Sequence, residues 1–195
     1  MHLVPAKLTQ IELVEKRSRF ITYCEPVYNE SEFKTFLTRL KSEYPDARHF
    51  CYGFRIGPLS SAQRGFSDDG EPSGTAGMPI LNVIDHSEYS DLAVIVVRYF
   101  GGTKLGTGGL ARAYSQATKT VLMACQWNEF EAMETIELVC EFSQEHQIRY
   151  LVSQLEGKII ELNYAKEVNL KVKIKQQADL STLSLYRLNR GDHGI

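Results

Sequence analysis

From Leu92 to Val97 the chain runs without a polar side chain, inside a β-branched and aromatic stretch that reaches Phe100. That density predicts a strand buried on both faces, the central strand of a sheet. Upstream, Gln10 to Val14 and Arg19 to Val27 read as two further strands. Asn29 then offers an N-cap with Glu32 as its reciprocal partner, and Phe33, Phe36, Leu37, Leu40 and Tyr44 recur at helical spacing until Pro45 and Asp46 end the pattern. His49 to Ile56 alternates as a strand, Gly57 to Pro79 is a long polar stretch read as loop, and Met78 to about His86 reads as a short helix. Five glycines in the nine positions from Gly101 to Gly109 precede a long helix with the stripe Leu110, Tyr114, Ala117, Val121 and Ala124. Arg112, Gln116 and Lys119 fall on its opposite face.

A fresh pattern starts beyond Trp127 to Glu131, which divides the chain into domains 1-129 and 130-195. Ile136, Leu138, Cys140 and Phe142 alternate as a strand. A helix over about Gln144 to Leu155, strands over Lys158 to Tyr164 and Glu167 to Lys175, and a helix over about Leu180 to Leu188 follow. The order β-α-β-β-α is a ferredoxin-like unit that lacks its last strand, because the sequence given ends at Ile195. The fold class is therefore α+β.

A length of 195 residues, 43% apolar and 24% charged, accommodates these two domains and places the chain among ordinary globular proteins. The longest strongly apolar run is six residues against about 20 for a membrane span, so no membrane partner is expected. Cys24, Cys51, Cys125 and Cys140 lie far apart with no C-x-x-C pair, which fits a reducing compartment. No apolar signal-peptide core precedes Phe20, and a cytoplasmic location is expected. A net charge of -2 excludes a global basic field of the kind that drives unspecific nucleic-acid binding, and no DNA sequence specificity is expected. The sum conceals a gap. Between Asp91 and Glu129 there is no acid, only Arg98, Lys104, Arg112 and Lys119.

That gap surrounds the glycine loop. Backbone N–H groups at a helix N-terminus, presented by Gly101, Gly102, Gly106, Gly108 and Gly109, would make an anion site to which Lys104, Thr103 and Thr107 add donors. The alternative is that these glycines serve only tight turns and close packing. The sequence G-x-x-x-x-G-K-[ST] is absent, and Gly106 to Ala111 matches a dinucleotide fingerprint without the following acidic strand end. The loop from Arg64 to Gly77 carries Asp68, Asp69 and Glu71. These could hold a hard cation or act as acid and base, or form Asx-turns and ion pairs with Arg64, Arg98 or Lys104. His49 and Cys51 share a strand face, but i, i+2 side chains run parallel without touching, so Cys51 is assigned to the core and no catalytic residue is named. Lys171, Lys173 and Lys175 form a stripe that could track a phosphate backbone or pair across strands with Glu137 and Glu141.

Arg19-Phe20-Ile21, Asp46-Ala47-Arg48-His49, Phe66 to Gly77 and Val97 to Leu110 together resemble the IMPACT family, specifically its bacterial YigZ-like members. The resemblance covers most of residues 10–125. It implies an N-terminal domain similar to the second domain of ribosomal protein S5 and a ferredoxin-like C-terminal domain similar to one in elongation factor G. Eukaryotic members dampen activation of a translation-factor kinase, through an additional RWD domain for which this sequence has no room, so that partner is not expected. Phe50 stands where relatives often carry a polar residue.

The leading reading is a non-enzymatic, translation-associated regulatory binding protein that needs no cofactor. Its partner would be RNA, the ribosome or another phosphate-bearing molecule. Arg98, Lys104 and Arg112 would contact phosphates, while Asp68, Asp69 and Glu71 order the loops. The alternatives are an enzyme acting on a small phosphorylated or nucleotide ligand with a divalent metal, and a protein-interaction adaptor.

Overall fold

The computed structural model describes residues 2–130, 132–176, 178–184 and 186–190. The chain forms two compact units, Met1–Phe130 and Glu131–Ile195. In the first, the elements are β1 (Leu3–Pro5), β2 (Thr9–Glu15), β3 (Ser18–Pro26), α1 (Glu30–Glu43), β4 (His49–Ile56), β5 (Gln63–Ser67), α2 (Gly77–Asp85), β6 (Leu92–Tyr99), α3 (Thr107–Ala124) and β7 (Trp127–Glu129). Five strands make an antiparallel sheet in the order β2-β3-β6-β4-β5. β6 is its middle strand, as its composition predicts.

Alternation along β6 builds both cores. Leu92, Val94 and Val96 meet α2 and α3 beside Phe20, Cys24 and Cys51. Ala93, Ile95 and Val97 meet Phe33, Phe36 and Leu40 of α1 on the other face. The unit is thus three layers, and each fully buried Val or Ile of β6 stabilises it by about 1.5–3 kcal/mol. Asn29 caps α1 through Oδ1, which accepts from Glu32 N at 2.9 Å. Glu32 answers on Tyr28 N at 2.9 Å, one residue before the cap itself. The expected stripe of α3 is buried from Leu110 to Val121, but Ala124 is exposed and Leu122 takes its place in the core.

The polar stretch 57–79 is not all loop. Gln63–Ser67 pairs with β4 as an edge strand, where one face meets solvent and no apolar alternation is required. β1 and β7 were also outside the expected pattern, each being three residues long. They pair with each other, Leu3 opposite Glu129 and Pro5 opposite Trp127.

In the second unit β8 (Met133–Cys140) leads through a short 3-10 turn to α4 (Glu145–Gln154), β9 (Lys158–Tyr164), β10 (Val168–Lys175), a second 3-10 turn over Ser181–Leu183 and β11 (Arg187–Arg190). The sheet order is β11-β8-β10-β9. Two expectations are corrected. The last strand is present, since β11 pairs antiparallel with β8 from Arg187 opposite Val139 to Arg190 opposite Ile136. The helix expected over Leu180 to Leu188 is a single 3-10 turn, with residue 185 outside the described residues. One turn is enough to bring Leu183 into the core, and the chain then extends to cover the edge of β8. Lys171 lies opposite Glu137 and within 3.7 Å of its carboxylate, and 3.5 Å from that of Glu161, as cross-strand pairing predicts. Among the described residues no helix is long and apolar enough to cross a membrane.

The two-residue hairpin turn between β2 and β3 is made of Lys16 (φ 46°) and Arg17 (φ 67°), both left-handed without being glycine. Such turns favour Asn-Gly, because other side chains clash with the following carbonyl. Replacing Lys16 by Asn and Arg17 by Gly together should therefore stabilise the protein by about 1 kcal/mol, read as a higher urea midpoint with an unchanged slope.

Candidate functional site

Arg98 is the penultimate residue of β6, and alternation turns it to the side of the sheet that carries α2 and α3. It is 5% exposed. A guanidinium does not lose its proton in a protein, so burial there demands an anion. Glu71 supplies it: Arg98 Nη1 donates to Glu71 Oε1 at 2.6 Å. The same oxygen accepts from Tyr114 Oη at 2.8 Å. Burial holds the Tyr114 hydroxyl well above its usual pKa, so it remains a donor. Arg98 Nη2 donates to Ser18 Oγ at 3.3 Å, and Ser18 Oγ also accepts from Gly101 N at 3.2 Å. The Arg98 guanidinium lies near the Phe20 and Phe100 rings, 5.4 and 5.7 Å from their centroids.

The acidic loop is organised from within by Asp68. Its Oδ1 accepts from Ala76 N and Gly77 N, each at 2.9 Å, and its Oδ2 from Gly74 N at 2.8 Å. Burial works against ionisation of this carboxyl, but the three N–H groups outweigh it and hold its pKa below the ordinary value. Two of those donors stand at the start of α2, so Asp68 caps that helix from a distance of eight and nine residues. Asp69 Oδ2 accepts from Phe50 N at 2.7 Å. His49 Nδ1 lies 3.0 Å from Asp69 O; a carbonyl only accepts, so Nδ1 carries the proton. Cys51 Sγ donates to Asp68 O at 2.9 Å and sits 3.3 Å from Tyr114 Oη. Burial pushes the Cys51 thiol up to about 12, and its partner is a carbonyl, not His49. The thiol is a core donor.

Asp68, Glu71 and Arg98 thus converge, and Asp69 joins them through β4. Lys104 does not. It is exposed on the glycine loop, with no hydrogen bond or ion pair among the described residues. Arg112 is also exposed, on the first turns of α3, where its Nη1 would stand 3.7 Å from a Cβ placed on Gly108. Arg98 therefore departs from the phosphate-contact role read from its sequence position, since an incoming phosphate would have to displace Glu71. Arg64 pairs with Asp85 at 2.9 Å and not with the acidic loop. With both oxygens of Asp68 and one of Asp69 receiving backbone N–H groups, the acidic loop is a hydrogen-bonded turn. Among the described residues no group of three or more His, Cys, Asp and Glu could hold a metal ion.

The glycines divide by role. Gly101 packs on the β2–β3 turn so closely that a Cβ would stand 2.0 Å from Arg17 C, a packing requirement. Gly102 (φ 86°) and Gly106 (φ 73°) take left-handed conformations in open space. Gly106 is the N-cap of α3 and lends no side chain to it. Gly108 and Gly109 lie in the first turn, which contains no acidic residue. The α3 N-terminus therefore keeps its backbone donors and its partial positive charge.

Two contributors were not singled out in the sequence. Ser18 ties Arg98 to Gly101, and Tyr114, placed in the stripe as an apolar residue, is a polar centre for α3. A tyrosine amid small residues on a buried stripe is the available signal, because a buried hydroxyl needs a partner.

The Impact N-terminal domain model matches residues 16–122. The chain is 39% identical over 171 residues to the IMPACT family member YigZ of Escherichia coli, covering 87% of this chain and 84% of the relative. It is 35% identical over 178 residues to an IMPACT family member of Haemophilus influenzae, covering 90% and 86%. A crystal structure of a hypothetical protein superposes with a TM-score of 0.75 at 35% identity, covering 99% of this chain and 98% of that one.

Removing the Glu71 carboxylate leaves a buried, unpaired guanidinium. Glu71→Ala should cost about 3–5 kcal/mol in urea unfolding. Asp68 adds a pH signature. Its folded-state pKa lies below the unfolded value, so its stabilisation is present above the unfolded value of about 3.9 and is lost as pH falls through the lowered one. Asp68→Asn should be less stable than the natural protein at neutral pH and show a flatter fall in melting temperature on acidification.

Proposed function

Because the chain belongs to the IMPACT family, we propose that it is a translation-associated regulatory binding protein whose N-terminal domain holds a phosphate-bearing partner, RNA or the ribosome, at the glycine loop. The observation that carries this reading is the start of α3. Its N-cap has no side chain, its first turn has no acid, and the exposed Lys104 and Arg112 flank it without counter-charges among the described residues. Backbone N–H groups, a helix dipole and two free cations favour one phosphate or a short run of them. Gly101, Gly102, Gly106, Gly108 and Gly109 would let a phosphate backbone approach the main chain.

Asp68, Asp69, Glu71 and Arg98 belong to this reading as the scaffold that fixes the loop. Arg98 holds Ser18 and, through it, Gly101, where the loop leaves β6. The association with translation rests on the family resemblance and on the kinship it implies with ribosomal protein S5 and elongation factor G. A binding role is favoured over a metal-dependent enzyme because the acidic loop already uses its carboxylates on backbone donors and on Arg98.

The test is binding of ribosomes or of a single-stranded RNA across a salt series. Lys104→Glu should weaken it by more than tenfold at moderate salt and reduce the slope of log K against log salt by about 1. Unchanged affinity in that variant would remove the glycine loop as the contact.

A further inference from the structure

β2 is the terminal strand of its sheet. All seven of its residues pair with β3 on one side, and among the described residues its other edge has no backbone partner. An open edge of that length, roughly 23 Å, is normally shielded by a proline, a bulge, a covering element or charged side chains, and of these β2 has only Glu12 and Glu15. Thr9–Glu15 contains no proline, and its register with β3 is unbroken.

Beside this edge, between the end of β2 and α3, runs a groove of about 660 Å³. Its floor is Leu13, Phe20 and Leu105, and Val14, on the strand, is 64% exposed. On the helix side Gly109, Ala113 and Ser115 keep the wall low. An edge strand beside a helix, across a groove with an apolar floor and a polar rim, fits strand addition, in which a peptide gains main-chain hydrogen bonds and directs alternate side chains to the groove.

Charge selects the occupant. Lys16, Arg112 and Lys119 line the groove against Glu15 alone, three cations to one carboxylate. Glu12 is already paired with Arg19 at 2.8 Å. Lys16 is presented from the left-handed Lys16-Arg17 turn, which holds its backbone at φ 46°. The same cations would attract a phosphate backbone, but the aromatic residue of the lining, Phe20, is 1% exposed and gives bases no face to stack on, whereas the β2 edge offers a peptide main-chain partners.

We propose that this groove binds an extended acidic segment of a partner protein, added to β2 as a sixth strand with its carboxylates toward Lys16, Arg112 and Lys119. The proposal does not rest on the glycine-loop reading: Gly109 and Arg112 border both sites, but Lys104 does not line the groove and the β2 edge takes no part in the phosphate site.

The experiment uses the full chain and four probes: a peptide of alternating glutamate and valine, its lysine–valine counterpart, the acidic peptide N-methylated on alternate amides, and an eight-nucleotide oligouridylate. Affinity is measured by titration, and amide hydrogen exchange is followed at residues 9–15. The acidic peptide should bind and slow exchange in β2, while the lysine and N-methylated peptides should bind at least tenfold more weakly. Lys119→Glu, on an exposed helix face, should weaken the acidic peptide at least tenfold, and Lys104→Glu should leave it unchanged. Absence of acidic-peptide binding, equal binding of the N-methylated or lysine peptide, or stronger protection of β2 by oligouridylate would each overturn the proposal. Peptide binding intact in Lys104→Glu, whether or not RNA binding is lost, supports the proposal, and its loss there would overturn it, because Lys104 lies outside the groove.

Discussion

A permanently charged side chain in the middle of a sheet obliges the rest of the chain to bring it an anion. Arg98 imposes that obligation from the central strand, and Glu71 meets it. Because Glu71 lies in a loop, the loop must cross the end of the sheet, and once there Asp68 folds it around three backbone N–H groups and starts α2. Tyr114 joins α3 to the same carboxylate oxygen. Ser18 joins the hairpin, and through Gly101 the glycine loop. Segments far apart in sequence are thus referred to one guanidinium.

The same arrangement separates the charges of the domain into two populations. Those turned inward have partners: Arg98 has Glu71, Asp91 shares a hydrogen bond with His2 at 2.7 Å, and Asp68 has backbone donors. Those on the outer surface of α3 are cations without acids near them in the chain. A net charge near zero is consistent with a locally positive face because the balancing acids lie elsewhere: six fall between Asp68 and Asp91, where there is no Lys or Arg, and residues 131–195 hold ten acids against eight Lys and Arg.

The parts of this architecture legible in the sequence are those where side chains alone determine the outcome. The two-faced burial of β6, the Asn29 cap of α1 and the helical stripe of α3 follow from composition and period. β5 and β11 were not legible, because Gln63–Ser67 and Arg187–Arg190 are polar segments whose strand conformation comes from a neighbour's free edge. The leucines at 180, 183 and 188 imitate a helical period, although one turn suffices to bury Leu183. At the site, the residue types were visible and their pairing was not. Nothing local distinguishes an arginine at a strand end that faces solvent from one that faces a glutamate 27 residues earlier. The short strands β1 and β7 follow from the same limit, each existing through the other.

That last pairing bears on how the N-terminal domain combines with other sequences. Leu3–Pro5 lies hydrogen-bonded to Trp127–Glu129, and Tyr89 stacks on Trp127 with ring centroids 3.7 Å apart, so the first and last strands leave the domain from one place. A domain whose entry and exit coincide is a cassette. It can be appended at either end, inserted into a host loop or circularly permuted by a short linker without rerouting its interior. Natural chains can therefore join different modules before it or after it while the Arg98 network inside stays the same.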